Sequence, residues 1–295
     1  MHAHSPIHPF THSPVVLKAP AKINWSLYVL NKRDDGYHNI LSLMHCIGLY
    51  DTLTFEASDS IELISDMDIP CSQNLVYKAA QSLQSYTGTE TGAKIVLQKD
   101  IPSGAGLGGG SSDAAYTLIG LNKLWGLELS VDEMKNIGSR LGSDVPFFFS
   151  CPMAIAEGRG EILTPLEIDV SYTLLLIKPS VSVSTSWAYG AVKAENELTK
   201  TGYKINNIKL IYKALKTGEI ALLKYNICND FESAVIEKYP VIGDIKEKLL
   251  DAGASMAIMS GSGSTVFGLF DDRDRAVEAS EKFSSYWNRV IETLV

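Results

Sequence analysis

The sequence predicts an α+β protein of one large domain or two, because its strand-like segments precede and interleave with helical ones without the regular βαβα rhythm of a doubly wound sheet. Two further observations support this. Hydrophobic residues make up 45% and charged residues 20% of 295 positions, the profile of a globular chain long enough for a large core. No internal repeat is present, and turn-forming Gly, Ser, Asn and Asp clusters punctuate the apolar segments.

The first strand is expected at Lys22–Val29, where Ile23, Trp25, Leu27 and Val29 alternate with Lys22, Asn24 and Ser26 on the opposite face. A polar turn follows over Asn31–Gly36, then strands around residues 40–43 and 51–55. A helix is expected over 74–86 and a strand over 94–97. Beyond a glycine run, Ala114, Leu118, Leu121 and Trp125 fall on one face of a helix beginning near Ser111. Val131–Leu141 reads as a helix stopped by Gly142, Tyr172–Ile177 as a strand, and Ser186 to about Lys200 as a helix. Residues 203–250 read as mainly helical, and Met256–Met259 and Thr265–Phe270 as two strands joined by the turn Ser260–Ser264. A leader over 1–16 is expected, and the pattern is compatible with a division of the rest into 17–160 and 161–295, although no linker marks it.

A net charge of −8 supplies no general positive field for nucleic acid or an anionic membrane, so neither partner is expected and any phosphate recognition has to be local. Cys46, Cys71, Cys151 and Cys228 form no C-x-x-C pair, which disfavours structural zinc and a disulfide framework. No apolar run approaches the roughly 18 residues of a membrane span, and no basic n-region precedes an apolar stretch at the start, so a cytoplasmic location is expected. His2, His4, His8 and His12 sit among prolines in a leader expected to be disordered. Nothing in the sequence specifies an oligomeric state.

Chemistry concentrates in Pro102, Ser103, Gly104, Ala105, Gly106, Leu107, Gly108, Gly109, Gly110, Ser111 and Ser112. Five glycines in the seven positions Gly104–Gly110 are costly in backbone entropy for an ordinary turn. Ahead of a helix start they suit close approach to phosphate by exposed N–H groups, with Ser111 and Ser112 adding hydroxyls for phosphate or metal-bound water. Asp113 reads as a first-turn helix charge. No lysine follows the glycines, which rejects a Walker A loop. Gly104, Gly106 and Gly109 satisfy G-x-G-x-x-G, but the acidic end of a second long strand is missing, which weakens a dinucleotide fold. Neither H-R-D-L nor D-F-G is present, which excludes the protein-kinase set.

Three segments in order, Pro20-Ala21-Lys22-Ile23-Asn24, Pro102–Ser112 and Ser260-Gly261-Ser262-Gly263-Ser264, resemble the motifs of the GHMP kinases, small-molecule kinases that include homoserine and mevalonate kinases. The resemblance runs from about Lys18 to Phe270 and includes Arg33-Asp34-Asp35-Gly36-Tyr37-His38 and Gly142-Ser143-Asp144-Val145-Pro146-Phe147. It implies a ribosomal S5-like N-terminal domain and a ferredoxin-like C-terminal domain with the active site in the cleft between them. It also implies ATP with Mg2+ and a small-molecule acceptor, a cytidine diphosphate-linked sugar alcohol. Asp144 would take the acceptor's hydroxyl proton, and Lys22 would polarise that hydroxyl. Asn24, on the same strand face as Lys22, would hold acceptor hydroxyls. His38 would hydrogen-bond the cytosine, with Tyr37 and Tyr189 supplying aromatic faces, and Thr185 would lie near the acceptor. Asn74 and Lys99 would flank the purine. No carboxylate cage marks a magnesium site. Gln98 and Phe231 depart from the residues common in relatives, and neither is expected to touch the chemistry. A homoserine kinase and a non-catalytic nucleotide sensor are the alternatives, opposed by Tyr37-His38 and by the presence of both Lys22 and Asp144 respectively.

Overall fold

The computed structural model describes residues 13–150, 152–192 and 198–295. The four leader histidines and residues 193–197, inside the expected helix 186–200, lie outside the described residues. Strands β1 (Val15–Lys32) and β2 (His38–Ser58) form a long antiparallel hairpin, so the two strands expected over 40–43 and 51–55 are one. Val15 and Val16, expected in the leader, already pair with Phe55 and Thr54. The polar turn is closed by Gly36, whose N–H donates to the Arg33 carbonyl at 3.1 Å from a φ of +86°. Then follow β3 (Ile61–Ser65), α1 (Leu75–Thr87), β4 (Gly92–Gln98), α2 (Gly109–Leu124), α3 (Val131–Leu141), β5 (Met153–Glu157) and β6 (Ile162–Leu166). The first sheet has the order β3-β4-β2-β5-β6 with β1 paired to β2. Because β6 belongs to it, the chain leaves this sheet after Leu166, past the division expected at residue 160.

The second unit contains β7 (Thr173–Lys178), α4 (Thr185–Ala191), α5 (Leu198–Thr217), α6 (Leu223–Asn226), α7 (Glu232–Lys238), α8 (Pro240–Asp251), β8 (Met256–Met259), β9 (Val266–Phe270), α9 (Arg273–Glu281) and β10 (Trp287–Glu292). Its antiparallel sheet has the order β10-β7-β9-β8, with helices in the first and last connections, which is the ferredoxin-like β-α-β-β-α-β arrangement. The helix expected from Ser186 to Lys200 is corrected: α4 ends at Ala191, where Val192 turns to an extended backbone, and α5 starts separately.

Three apolar cores hold these layers. One lies under the first sheet against α1, α2 and α3, one joins the two sheets and α5, and one packs the second sheet against α7, α8 and α9. Trp25 fixes the central core, with its ring edge-on to Tyr172 at 5.8 Å and Phe267 at 5.6 Å. It also occupies a register shift between Asn24 and Ser26. An extra residue in one strand reverses the alternation. Ile23 and Trp25 therefore join the central core, while Leu27 and Val29 turn to the third. The single apolar face expected for 23–29 is thus split. Lys22, Asn24 and Ser26, expected on a half-exposed face, are buried because that face meets the second unit.

His45 is buried beside this bulge. It accepts from Trp25 Nε1 at 3.0 Å through Nδ1 and donates from Nε2 to the Leu294 carbonyl at 2.8 Å, which fixes the neutral tautomer and ties the chain end to β2. Burial lowers its pKa from 6.5 to about 4. The unfolded chain therefore binds this proton more readily, so the stabilisation is present above about pH 6.5 and is lost as pH falls toward 4, by about 3 kcal/mol. Urea titrations between pH 7 and 4 will show a shallower loss of stability in His45→Gln than in the parent; equal slopes would contradict this.

Candidate active site

A cleft of about 890 Å³ runs between the two units. Every residue singled out from the sequence lines it except Ser112. The glycine loop connects β4 to α2, and the helix begins earlier than expected, at Gly109, with Gly108 as its cap at φ +70°. Ser111 faces the cleft, whereas Ser112 turns into the protein and its hydroxyl has no hydrogen-bond partner among the described residues. The expectation for Ser112 is corrected accordingly: at this point of the helix its side chain points away from any phosphate in the loop.

The loop leans on the C-terminal glycine turn. Ser260 Oγ donates to the Gly106 carbonyl at 3.0 Å, and Thr265 N–H donates to the Ala105 carbonyl at 3.2 Å. Gly106 has a φ of +76°, and a Cβ there would lie 2.0 Å from the Ser260 carbonyl oxygen. On its other side the loop meets β1: Lys22 N–H donates to the Leu107 carbonyl at 2.9 Å, and a Cβ on Gly108 would lie 2.9 Å from Lys22 Cγ. The glycines thus answer two close approaches as well as any ligand. The turn is itself anchored by Asn229, whose amide donates to the Met259 and Gly261 carbonyls at 2.7 and 2.8 Å.

Lys22 is 3% exposed. Its ammonium donates to Asn24 Oδ1 at 2.7 Å and lies 3.4 Å from Asp144 Oδ2. Asn24 Nδ2 donates to Ser42 Oγ at 2.8 Å, and that hydroxyl donates to the Ser26 carbonyl at 2.8 Å. Asp144 stands at the start of a 3₁₀ turn over Val145–Phe149 but does not cap it. Its carboxylate faces the cleft instead, beside Gly160, where a Cβ would come within 3.5 Å of it.

At one end of the cleft His38 stacks on Tyr189, with ring centroids 5.3 Å apart and planes inclined by 14°. Phe231 meets Tyr189 edge-on at 4.9 Å and 88°, and it lines the cleft. Phe231, expected not to touch the chemistry, thus forms part of the cleft wall behind Tyr189. Tyr37 stands at the rim, 54% exposed, with the Arg159 guanidinium 4.8 Å from its ring centre. Burial and the nearby Lys32 lower the His38 pKa, which favours a neutral ring with one donor and one acceptor. Burial and the Asp144 charge raise that of Tyr189, which keeps its hydroxyl protonated. Thr185 and Ser262 share a hydroxyl hydrogen bond of 2.9 Å across the opening.

Asn74 lines the other end with Met67, Ile69 and Leu75, while its Oδ1 caps α1 by accepting from Val76 N–H at 2.9 Å. Lys99 is held between Asp51 and Asp113, with the Asp113 contact at 2.7 Å. Asp113 is buried and ion-paired, which corrects its expected role as a plain helix charge. Desolvation raises its pKa to about 7 and the Lys99 charge opposes that rise. Sequence reasoning missed Asp51, Asp113, Arg159, Asn229 and Phe231. Phe231 stood out only as a departure from relatives, and its place on the cleft wall comes from the fold.

With this geometry in view, the chain belongs to the GHMP kinases: the family's N-terminal-domain model matches residues 74–151 and its C-terminal model matches 211–289. It is 53% identical over 279 residues, 94% of this chain and 97% of the relative, to 4-diphosphocytidyl-2-C-methyl-D-erythritol kinase of Thermodesulfovibrio yellowstonii. A crystal structure of 4-(cytidine 5'-diphospho)-2C-methyl-D-erythritol kinase superposes with a TM-score of 0.80 at 32% identity, covering 95% of this chain and 99% of the other. Homoserine kinase from Cytophaga hutchinsonii, at 20% identity and a TM-score of 0.77 over 99% of this chain and 98% of the other, shares the fold.

The packing of the loop gives a graded expectation. Gly106→Ala meets both a left-handed backbone and the Ser260 carbonyl, whereas Gly104→Ala meets only a φ of +61°, its nearest outside atom being 4.0 Å away. ATP titration will show at least about tenfold weaker binding for Gly106→Ala, and a loss of about 1 kcal/mol or less for Gly104→Ala. Equal losses would contradict the bracing of the loop by the turn.

Proposed function

We propose that this chain catalyses ATP-dependent phosphorylation of the 2-hydroxyl of 4-diphosphocytidyl-2-C-methyl-D-erythritol, giving ADP and the 2-phosphate, a step of non-mevalonate isoprenoid synthesis in the cytoplasm. The observation that carries the mechanism is the buried Lys22 ammonium 3.4 Å from a cleft-facing Asp144 carboxylate, next to a glycine loop opening into a helix. Phosphoryl transfer demands in-line placement of donor and acceptor and compensation of charge on the transferring group. The loop N–H groups from Gly104 to Ser111 and the N-terminus of α2 hold the triphosphate. The purine lies toward Asn74, Met67 and Ile69.

The acceptor enters from the aromatic end. Neutral His38 offers one donor and one acceptor to the cytosine edge, Tyr189 supplies a stacking face held by Phe231, and Tyr37 covers the rim. Since His38 itself rests on Tyr189, the base is received beside or in place of that contact. Thr185 faces the acceptor from α4. The 2-hydroxyl proton passes to Asp144 as the oxygen attacks the γ-phosphorus and the bond to ADP breaks. Lys22 stabilises the negative charge on the attacking oxygen and on the γ-phosphoryl group. Asn24 orients Lys22 through one lone pair of Oδ1, leaving the other toward the acceptor hydroxyls. Mg2+ bound to the nucleotide phosphates would compensate their charge, with the cleft-facing Ser111 hydroxyl placed to hold it or a water on it; among the described residues no group of three or more His, Cys, Asp or Glu side chains forms a dedicated cage.

A coupled ADP-release assay with this acceptor tests the reading. Asp144→Asn and Lys22→Ala each lose at least about a hundredfold in kcat, while His38→Ala raises the acceptor KM and leaves the ATP KM unchanged. Parent-like rates in both catalytic variants would remove the mechanism. Phosphorylation of homoserine in place of the cytidyl compound would overturn the acceptor.

A further inference from the structure

We infer that Lys99, held between Asp51 and Asp113, is a positioning residue that closes the base of the phosphate loop and fixes the start of α2, rather than a group that contacts the purine. This deepens, and rests on, the reading of Pro102–Ser111 as the nucleotide loop.

The three side chains come from the two strands behind the loop and from the helix in front of it. Asp51 lies on β2 and is fully buried, and its carboxylate does not line the cleft. Besides Lys99 it accepts from Asp100 N–H at 2.7 Å and Ile101 N–H at 2.9 Å, the two residues that lead into Pro102. Lys99 follows β4 and donates onward to Asp113 Oδ2 at 2.7 Å, in the second turn of α2. A single ammonium therefore bridges the residues entering the loop and the helix leaving it. It also lies against the first residue of that helix, since a Cβ on Gly109 would be 3.2 Å from Lys99 Nζ.

The charges explain why the bridge is tight. Two buried carboxylates share one largely buried ammonium, and charges removed from water have to be paired to persist. Asp51 has backbone donors as well, whereas Asp113 Oδ1 has no partner among the described residues, so Lys99 is the group that compensates Asp113. Removing the bridge leaves an uncompensated carboxylate inside the protein directly behind the anion-binding turn. That moves the loop N–H groups and opposes phosphate at the same time. With its donors engaged on both sides, Lys99 is committed to this contact before any nucleotide arrives.

The test uses the full chain and measures ATP binding by calorimetry with no acceptor present, with acceptor KM measured separately. Asp51→Asn keeps the side-chain shape and touches no ligand. It raises the ATP Kd at least about tenfold while the acceptor KM stays within about twofold. Asp113→Ala does the same, and Asp113→Asn, which keeps an acceptor oxygen for Lys99, restores most of the affinity. That rescue is something a general loss of stability would not produce. If Asp51→Asn fails to fold, the Asp113 pair carries the test alone. ATP affinity within about twofold of the parent in Asp113→Ala, or equal weakening of ATP and acceptor, overturns the inference. A parent protein that binds ATP but does not phosphorylate the cytidyl acceptor would instead sink the proposed function and leave this role of Lys99 standing.

Discussion

A lysine ammonium withdrawn from water has to be compensated by the groups around it, and at Lys22 that requirement organises the site. Its partners come from its own strand through Asn24 and from the segment after α3 through Asp144, while its backbone N–H holds the glycine loop at Leu107. Buried ion pairs are poor investments for stability, since desolvation cancels much of the attraction. Here only the lysine is buried, and its opening onto the cleft beside a partly exposed carboxylate fits the roles proposed above, with the ammonium set for charge that develops during transfer and the carboxylate for the proton released.

The rest of the architecture keeps these groups in register. The bulge at Trp25 lets β1 present Lys22 and Asn24 to the cleft while Trp25 enters the core that joins the two units. On its free edge β1 meets the segment before α7, where Leu27 N–H donates to the Cys228 carbonyl at 2.7 Å and Asp230 N–H to the Leu27 carbonyl at 3.0 Å. From there Asn229 reaches the C-terminal glycine turn that braces the loop at Gly106. Both ends of the cleft are thus tied to one strand, and relative movement of the two units would disturb both at once.

Much of this was legible in the sequence because the signals are local. The 22–29 alternation placed Lys22 and Asn24 on one face, and the glycine run ahead of a helical period marked the loop that lines the cleft. What was lost depends on distance along the chain or on edges of sheets. Asp51, Lys99 and Asp113 meet only after β2, β4 and α2 have assembled, so Asp113 read as an ordinary helix charge. The reach of Phe231 to Tyr189 depends on α4 meeting the start of α7 within the second unit, and the burial of Lys22 on that unit docking on β1. Strand β6 escaped notice because Pro165 interrupts it, which an edge strand tolerates. Strand β3, also at an edge, is short and alternates weakly.

The central claim is that this cleft directs the γ-phosphoryl group of ATP to one hydroxyl, at the carbon that bears the methyl branch. Phosphorus and carbon NMR of the product formed from ATP and 4-diphosphocytidyl-2-C-methyl-D-erythritol tests it most directly. The account predicts a new phosphomonoester in step with ADP, with carbon–phosphorus coupling centred on the quaternary C2. A monoester on any other hydroxyl, or ADP formed with inorganic phosphate and unchanged acceptor, would contradict it.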